Sequence, residues 1–377
     1  MHLTGRLTLP FLTLTLAALM LTSGMAADPG GPFPSTGSLG AGSVLIYNFY
    51  TSSVTNPVAE NTLITITNTG DRESVFVHLF FVDGDTCSVA DSYICLTRSQ
   101  TMRFLASDVD PGITGYIIAI AVDENGMPVT DRSPSFFRAA PAGARSEEVA
   151  QDEPPPPPPP PPMLIGNELV KLGTGSSTSL SAEARPTPTL QPCEICEPLA
   201  ERGSTTRGSA PAQADDIPSE VTILLDGLPR VLAMDSIQSQ ADGNSTLLVV
   251  NRIGGDLRTS AARLGPLFGI LFDQLENPYS FTFEGGCQFR SFLNNSTFPR
   301  TTPRLNAVIP AGTSGWMKFW ATGSDEDPEP AIVGAMLTFN PNSSRRASAF
   351  NGGHPLHSLT TAGTVSLTIP VFPPNCQ

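Results

Sequence analysis

Gly115-Tyr-Ile-Ile-Ala-Ile-Ala-Val122 runs straight into Asp123-Glu-Asn-Gly126. The apolar run is too short for a helix and ends at a turn signal, so it predicts a strand buried on both faces. Working outward, Val75 to Val82 is a second apolar run, broken only by His78 and closed by the turn Asp83-Gly-Asp85. Thr62-Leu-Ile-Thr-Ile-Thr-Asn68 alternates at Ile64 and Ile66, and Met102 to Ala106 alternates again, as half-buried strands do. Short strands at this spacing, without helical periodicity, describe a β-sandwich. A second β-rich zone holds strand candidates at 221–225, 231–234, 247–250, 267–272, 280–283, 305–309, 315–321, 332–339 and 365–371; only Thr259–Leu264 reads as helical.

The two zones share landmarks in the same order. Val44-Leu-Ile-Tyr-Asn48 matches Val231-Leu-Ala-Met-Asp235, and Thr62 to Asn68 matches Thr246-Leu-Leu-Val-Val-Asn251. Val82-Asp-Gly-Asp-Thr-Cys87 matches Phe283-Glu-Gly-Gly-Cys287, and Pro111-Gly-Ile-Thr-Gly-Tyr116 matches Ala311-Gly-Thr-Ser-Gly-Trp316. This order predicts an internal duplication. Each unit would enter its central strand through a Gly-x-x-Gly-aromatic step, the glycines permitting a sharp turn or a close backbone approach. Tyr116 and Trp316 would be core anchors with a polar tip, and Trp320 would be structural too.

Proline separates the zones. The chain has 377 residues and 37 prolines, nine of them consecutive from Pro154 to Pro162. Such a run adopts polyproline II and gives a sheet no donors. Met163 to Leu172 and Ser179 to Ala182 nevertheless read as strands. The expected organisation is a signal peptide at 1–26, a flexible lead-in at 27–43 and a first β-sandwich at 44–185 with a Pro-rich insertion at 139–162. A linker at 186–217 and a second β-sandwich at 218–377 follow. The fold class is all-β, as two tandem Ig-like sandwiches.

The start is weakly basic at His2 and Arg6. Leu7 to Leu21 is mostly apolar, and Gly24-Met-Ala26 supplies a small-residue cleavage site before Ala27. These features predict export, to an extracellular or periplasmic compartment. The apolar stretch is short for a bilayer that needs about 20 residues, so no integral membrane segment is expected after cleavage. The net charge of −14 opposes nucleic acid and anionic bilayers as partners; an acidic surface suits solubility or loose attraction of divalent cations, and a cell-surface or protein partner is left open.

Six cysteines, an even number in an exported chain, favour disulfides: Cys87, Cys95, Cys193, Cys196, Cys287 and Cys376. Cys87 with Cys95 would staple a loop, Cys193 with Cys196 would close a small ring, and Cys287 with Cys376 would tie down the chain's end. The Cys-x-x-Cys lies amid prolines rather than at a helix start. Glu197 follows it where haem attachment needs His, and no further zinc ligand lies nearby.

Several stretches are similar to recurring segments of one family. They include Phe76 to Leu96, Ser107 to Tyr116, Ile165-Gly-Asn-Glu-Leu-Val-Lys-Leu172, Asn251-Arg-Ile-Gly-Gly-Asp256 and Gly312-Thr-Ser-Gly-Trp-Met-Lys318. Leu367 to Cys376 adds another. The chain resembles a family of secreted bacterial proteins with β-rich, Ig-like domains and no assigned activity. The resemblance implies export and a β-rich build, and nothing catalytic.

The chemistry-bearing residues are few. His78 lies inside an apolar strand and reads as structural. His354-Pro-Leu-His357 is not a helical zinc motif, because Pro355 breaks the helix that such spacing would use; loop zinc would need a carboxylate from elsewhere. No Gly-x-Ser-x-Gly elbow, Walker loop or Rossmann fingerprint occurs. Calcium is the ligand that suits the acidic loops best, with Asp83, Asp85, Asp108, Asp110, Asp325 and Asp327 as candidate ligands. None follows EF-hand spacing, and turns or solvated acidic loops are the better explanation of their positions. No catalytic residue and no cofactor are assigned. The expected role is that of an exported, non-catalytic extracellular or cell-surface protein, structural or adhesive. The alternative is a carbohydrate- or surface-ligand-binding module, and a third reading is a hydrolase whose residues meet only in space.

Overall fold

The computed structural model describes residues 40–70, 74–130, 164–191, 218–323, 327, 329–340 and 351–375. The expected signal peptide, most of the lead-in, the polyproline run, residues 192–217, Asp325, Cys193, Cys196 and Cys376 lie outside them. Residues Thr36–Gln377 form one unit, and its architecture is all-β.

Five small sheets make up the described residues. Strands are numbered along the chain. Sheet A has the order β5 (Thr101–Leu105), β2 (Asn61–Asn68), β7 (Leu164–Lys171), β8 (Ser177–Ser181). Sheet B has the order β4 (Val89–Leu96), β3 (Val75–Asp83), β6 (Thr114–Val122), β1 (Val44–Thr51), β9 (Glu183–Arg185). The second half repeats both orders. Sheet C runs β18 (Gln288–Phe292), β13 (Ser245–Arg252), β20 (Ile332–Phe339), β21 (Gly352–Pro355). Sheet D runs β17 (Pro278–Gly285), β16 (Gly265–Phe272), β19 (Ser314–Ala321), β12 (Pro229–Gln238), β22 (His357–Thr361). Sheet E joins β10 (Thr189–Leu190), β11 (Glu220–Leu225), β23 (Val365–Pro370), β14 (Gly255–Asp256) and β15 (Ser260–Ala261).

The repetition extends to register. Tyr47 pairs with Ile117, and the next pair is Tyr50 with Gly115, leaving Asn48 and Phe49 as a bulge. Met234 pairs with Met317, and the next pair is Ile237 with Gly315, leaving Asp235 and Ser236 as the same bulge. A one-turn helix precedes the central strand in each half: α1 (Ala106–Val109) before β6 and α2 (Leu305–Val308) before β19. The strand expected at 305–309 is therefore a helical turn. The helix expected at 259–264 is instead the short strand β15, whose Ala261 N–H donates to the Cys87 carbonyl at 3.0 Å.

The apolar runs sit where both sheet faces are covered. Leu45, Val77, Leu79, Phe81, Ile117 and Ala119 of sheet B meet Ile64 and Ile66 of sheet A. The opposite face of sheet B, with Ile46, Phe80, Tyr116 and Ile118, packs on Ile223, Leu367 and Ile369 of sheet E and on Val333 of sheet C. Sheets C and D enclose a core of Leu248, Val250, Leu267, Met317 and Phe319. Phe49, Val170 and Leu180 of the first half meet Val249, Ala335 and Leu337 of the second. Each fully buried aliphatic or aromatic side chain contributes about 1.5–3 kcal/mol, so the cores between the halves stabilise as the cores within them do.

Two separate tandem Ig-like sandwiches are not shown. The halves share cores and a bridging sheet. In addition, β1 pairs with β6 rather than lying beside β2 in the other sheet, where an Ig first strand lies. The reason is burial: all eight residues of β1 are buried, so the strand must be internal to a covered sheet.

The disulfide expectations change as well. Cys87 pairs with Cys287, across 200 residues and between the halves. Cys95 is disulfide-bonded too, but not to Cys87. The hairpin β3–β4 already closes the loop between Cys87 and Cys95 through its own ladder, which leaves Cys87 to face the second half. Of the expected linker, Thr189 and Leu190 pair with β11. The strand β7, which follows the polyproline run, pairs with β2 along its length.

Candidate functional site

The bulge has opposite fates in the two halves. In the first, Phe49 enters the core between the halves, and the Asn48 carbonyl accepts from Asn251 Nδ2 at 2.8 Å. Asn48 Nδ2 donates to Glu183 at 2.8 Å, and Glu183 pairs with Arg185 at 2.7 Å. Burial pushes the Glu183 carboxyl up, opposed by Arg185 and by the hydrogen bond from Asn48.

In the second half the bulge is exposed. Ser236 has φ +49°, a left-handed conformation, and the bulge turns Asp235 outward, as bulges re-aim side chains. The chain leaves sheet C after Pro355, and the preceding His354 sits opposite Met336. It enters sheet D at His357, opposite Ala233. Leu356, buried in the core between these sheets, pins the crossing. The two histidines therefore flank one corner beside Asp235. His354 Nε2 lies 3.6 Å from Asp235 Oδ1, and His357 Nε2 lies 3.5 Å from the same oxygen. His354 Nδ1 is 2.8 Å from the Pro355 carbonyl. A carbonyl only accepts, so Nδ1 carries a proton and donates. About half of each of the three side chains is exposed, at 51% for Asp235, 40% for His354 and 58% for His357.

The corner opens on a cleft of about 860 Å³ between the halves. Asn167, Ser179 and Ser181 of sheet A face it from the first half, and the buried Glu183–Arg185 pair also lines it. The Arg185 guanidinium donates to the Gly227 carbonyl at 3.0 Å, while its Nε is buried without a hydrogen-bond partner.

The sequence-predicted calcium residues sit elsewhere. Asp83 caps its own turn, accepting from the Asp85 N–H at 2.8 Å and from the Thr86 hydroxyl. Both Asp85 carboxylate oxygens accept from one Arg290 guanidinium nitrogen, at 2.9 and 3.1 Å. Asp108 caps α1 through the Leu105 N–H at 3.0 Å. Asp110 accepts from the Tyr50 hydroxyl at 2.5 Å, and burial raises its pKa. Asp327 pairs with Arg252. Among the described residues none of these joins a three-ligand group; Asp235, His354 and His357 do, with ligand atoms within 4.8 Å of one another. Asp235 was not singled out by sequence. The signal that reaches it is the duplication, which aligns it with Asn48.

His78 is structural, as expected. It is buried between Phe80 and Tyr93 at ring distances of 4.0 and 4.1 Å, and its Nε2 lies 2.8 Å from Asp91. Tyr116 is the core anchor expected, fully buried with its hydroxyl donating to the Arg252 carbonyl at 3.0 Å. Trp316 is not. It stacks on Phe272 at 4.3 Å on the outer face of sheet D, where Trp320 lies against Phe268, and both tryptophans are half-buried. Equivalent register puts Tyr116 and Trp316 on the same face of their sheets. Sheet E and the second half cover that face in sheet B, whereas no other sheet covers it in sheet D among the described residues.

No family model matches the sequence, and no curated protein matches it. Three solved structures align weakly: the cowpea mosaic virus top component, vicilin from Capsicum annuum and Pleurotus ostreatus lectin in its apo form. Identities are 8, 9 and 8%, with 92, 85 and 89% of this chain covered and 97, 75 and 87% of theirs. TM-scores of 0.17, 0.15 and 0.15 are too low to carry any argument about fold or function.

Proposed function

We propose that the protein is an exported, non-catalytic extracellular or cell-surface protein with a structural or adhesive role. The Cys87–Cys287 bond between the halves carries this reading, because such bonds persist in oxidising compartments. It locks two sandwich-like units into a single body, as suits a surface scaffold. Protease shaving of intact cells, with a thiol count on the released protein, tests the reading. Release of a chain without free thiols is expected; a chain confined to the cytosol with reduced cysteines would overturn it.

Binding of a carbohydrate or other surface ligand is the second reading. It is favoured by the aromatic row Phe268, Trp320, Phe272 and Trp316 on the outer face of sheet D, since rings on a flat face stack well on sugar rings. A glycan array with the native chain and a Trp316→Ala/Trp320→Ala variant tests it. Binding lost in the variant supports it, and an array blank for both removes it. The hydrolase reading gains His354 and His357 beside a carboxylate. Among the described residues, however, neither imidazole is hydrogen-bonded to a serine or threonine hydroxyl.

A further inference from the structure

We infer that Asp235, His354 and His357 form a binding site for a divalent transition metal, Zn²⁺ in the first instance, at the mouth of the cleft between the halves. The site extends beyond the structural or adhesive reading and does not depend on it.

The distances favour a shared cation over hydrogen bonding. At 3.5 and 3.6 Å, both Nε2–Oδ1 separations are too long for hydrogen bonds, whose N–H···O lengths run to about 3.2 Å. They do match the edge of a coordination tetrahedron: with metal–ligand bonds of about 2.0–2.1 Å, ligand atoms lie about 3.3 Å apart. The far side of the His354 ring agrees. Its Nδ1 donates to the Pro355 carbonyl, and a backbone carbonyl on that nitrogen is the partner that orients a metal-ligating histidine, here with Nε2 turned toward Asp235.

The build of the site agrees as well. Asp235 is set by a bulge, His354 by the ladder of sheet C and His357 by that of sheet D, with buried Leu356 between the histidines. In the first half the same register positions hold Asn48 and Glu183, which close on each other through a direct hydrogen bond of 2.8 Å. The second half replaces that pair with groups that face one another without one. Two imidazoles and one carboxylate suit Zn²⁺ rather than calcium, which takes oxygen ligands. Three protein ligands leave the fourth position open, and here it faces the cleft that holds Glu183 and Arg185.

Titration of the EDTA-treated full chain tests the inference, with Zn²⁺ followed by calorimetry and Co²⁺ by its visible d–d bands. One equivalent of Zn²⁺ should bind and raise Tm, and Co²⁺ should give a four- or five-coordinate spectrum. Asp235→Asn and His357→Ala alter exposed side chains, so circular dichroism should be unchanged. Each should weaken binding by at least the ~10–100-fold seen when a group that merely orients a ligand is lost. Asp83→Asn should leave affinity unchanged. Absence of binding in a folded chain, retained affinity in both site variants, or Ca²⁺ binding as tightly as Zn²⁺ would each overturn the site.

Discussion

Glu168 is the residue at which the two halves disagree most. It lies opposite Ile64, as Met336 lies opposite Leu248. Met336 packs in an apolar core. Glu168 is fully buried, with no side-chain partner for either carboxylate oxygen; burial holds its carboxyl well above the usual range, opposed by the Phe49 backbone N–H and reinforced by Glu183. Its folded pKa is raised, so its contribution to stability is fully present below the unfolded value of about 4.5 and is lost as pH rises through the folded one. Glu168→Met should therefore stabilise the chain at neutral pH by about 1–3 kcal/mol, the desolvation cost of an unsatisfied buried group. The gain, measured by urea unfolding, should be smaller at pH 4, where the carboxyl is largely neutral in both states and only the cost of burying a neutral polar group remains. His78 acts in the opposite direction. Burial lowers its pKa despite Asp91, so its contribution is present above the unfolded value of about 6.5 and is lost as pH falls through the folded one. The fall in stability on acidification below pH 6.5 should be smaller in His78→Phe than in the native chain, read from the difference between their unfolding curves.

At the scale of elements, the Gly-x-x-Gly-aromatic step divides its labour as its spacing implied. Gly112 and Gly312 have φ of +86° and +77° and make the turn into the central strand. Gly115 and Gly315 allow close approach: a Cβ would sit 1.8 Å from the Val82 carbonyl oxygen in one half and 2.6 Å from that of Phe272 in the other. These contacts are with backbone, which cannot swing aside. Gly115→Ala should cost about 3 kcal/mol, the upper end for overpacking, by parting β3 from β6. Gly312→Ala meets open space and should cost only the left-handed penalty of about 1–2 kcal/mol. Chemical denaturation of the two variants should reproduce that order; equal costs would mean that the approach can relax. Strand existence was legible from alternation and apolar runs. Leu305–Val308 was not, because four residues cannot display a helical period.

For the whole molecule, the seam between the halves is covalent as well as packed. Cys87 and Cys287 close a loop spanning 200 residues, and restricting the unfolded chain over such a length stabilises by up to about 5 kcal/mol. The double variant Cys87→Ala/Cys287→Ala should melt well below the native chain. Its loss should be largest for amides at the seam, such as the Cys287 N–H that donates to the Gly84 carbonyl at 3.1 Å. Hydrogen exchange followed by mass spectrometry would show seam protection falling before that of β19, and uniform loss would contradict this picture.

The sequence alone determined the β-class, most of the strand positions and the repetition, because these rest on local periodicity and on landmarks within each half. It also paired Asn48 with Asp235 before any contact was known. Tertiary structure decided which copy of each shared feature is covered. The bulge of the first half is buried under the second, and its counterpart meets His354 and His357 in the open; Tyr116 is roofed by a neighbouring sheet, and Trp316 is not. It decided the disulfide partner too. Burial and proximity across 100 to 300 residues depend on how the halves dock, and docking leaves no period in the chain.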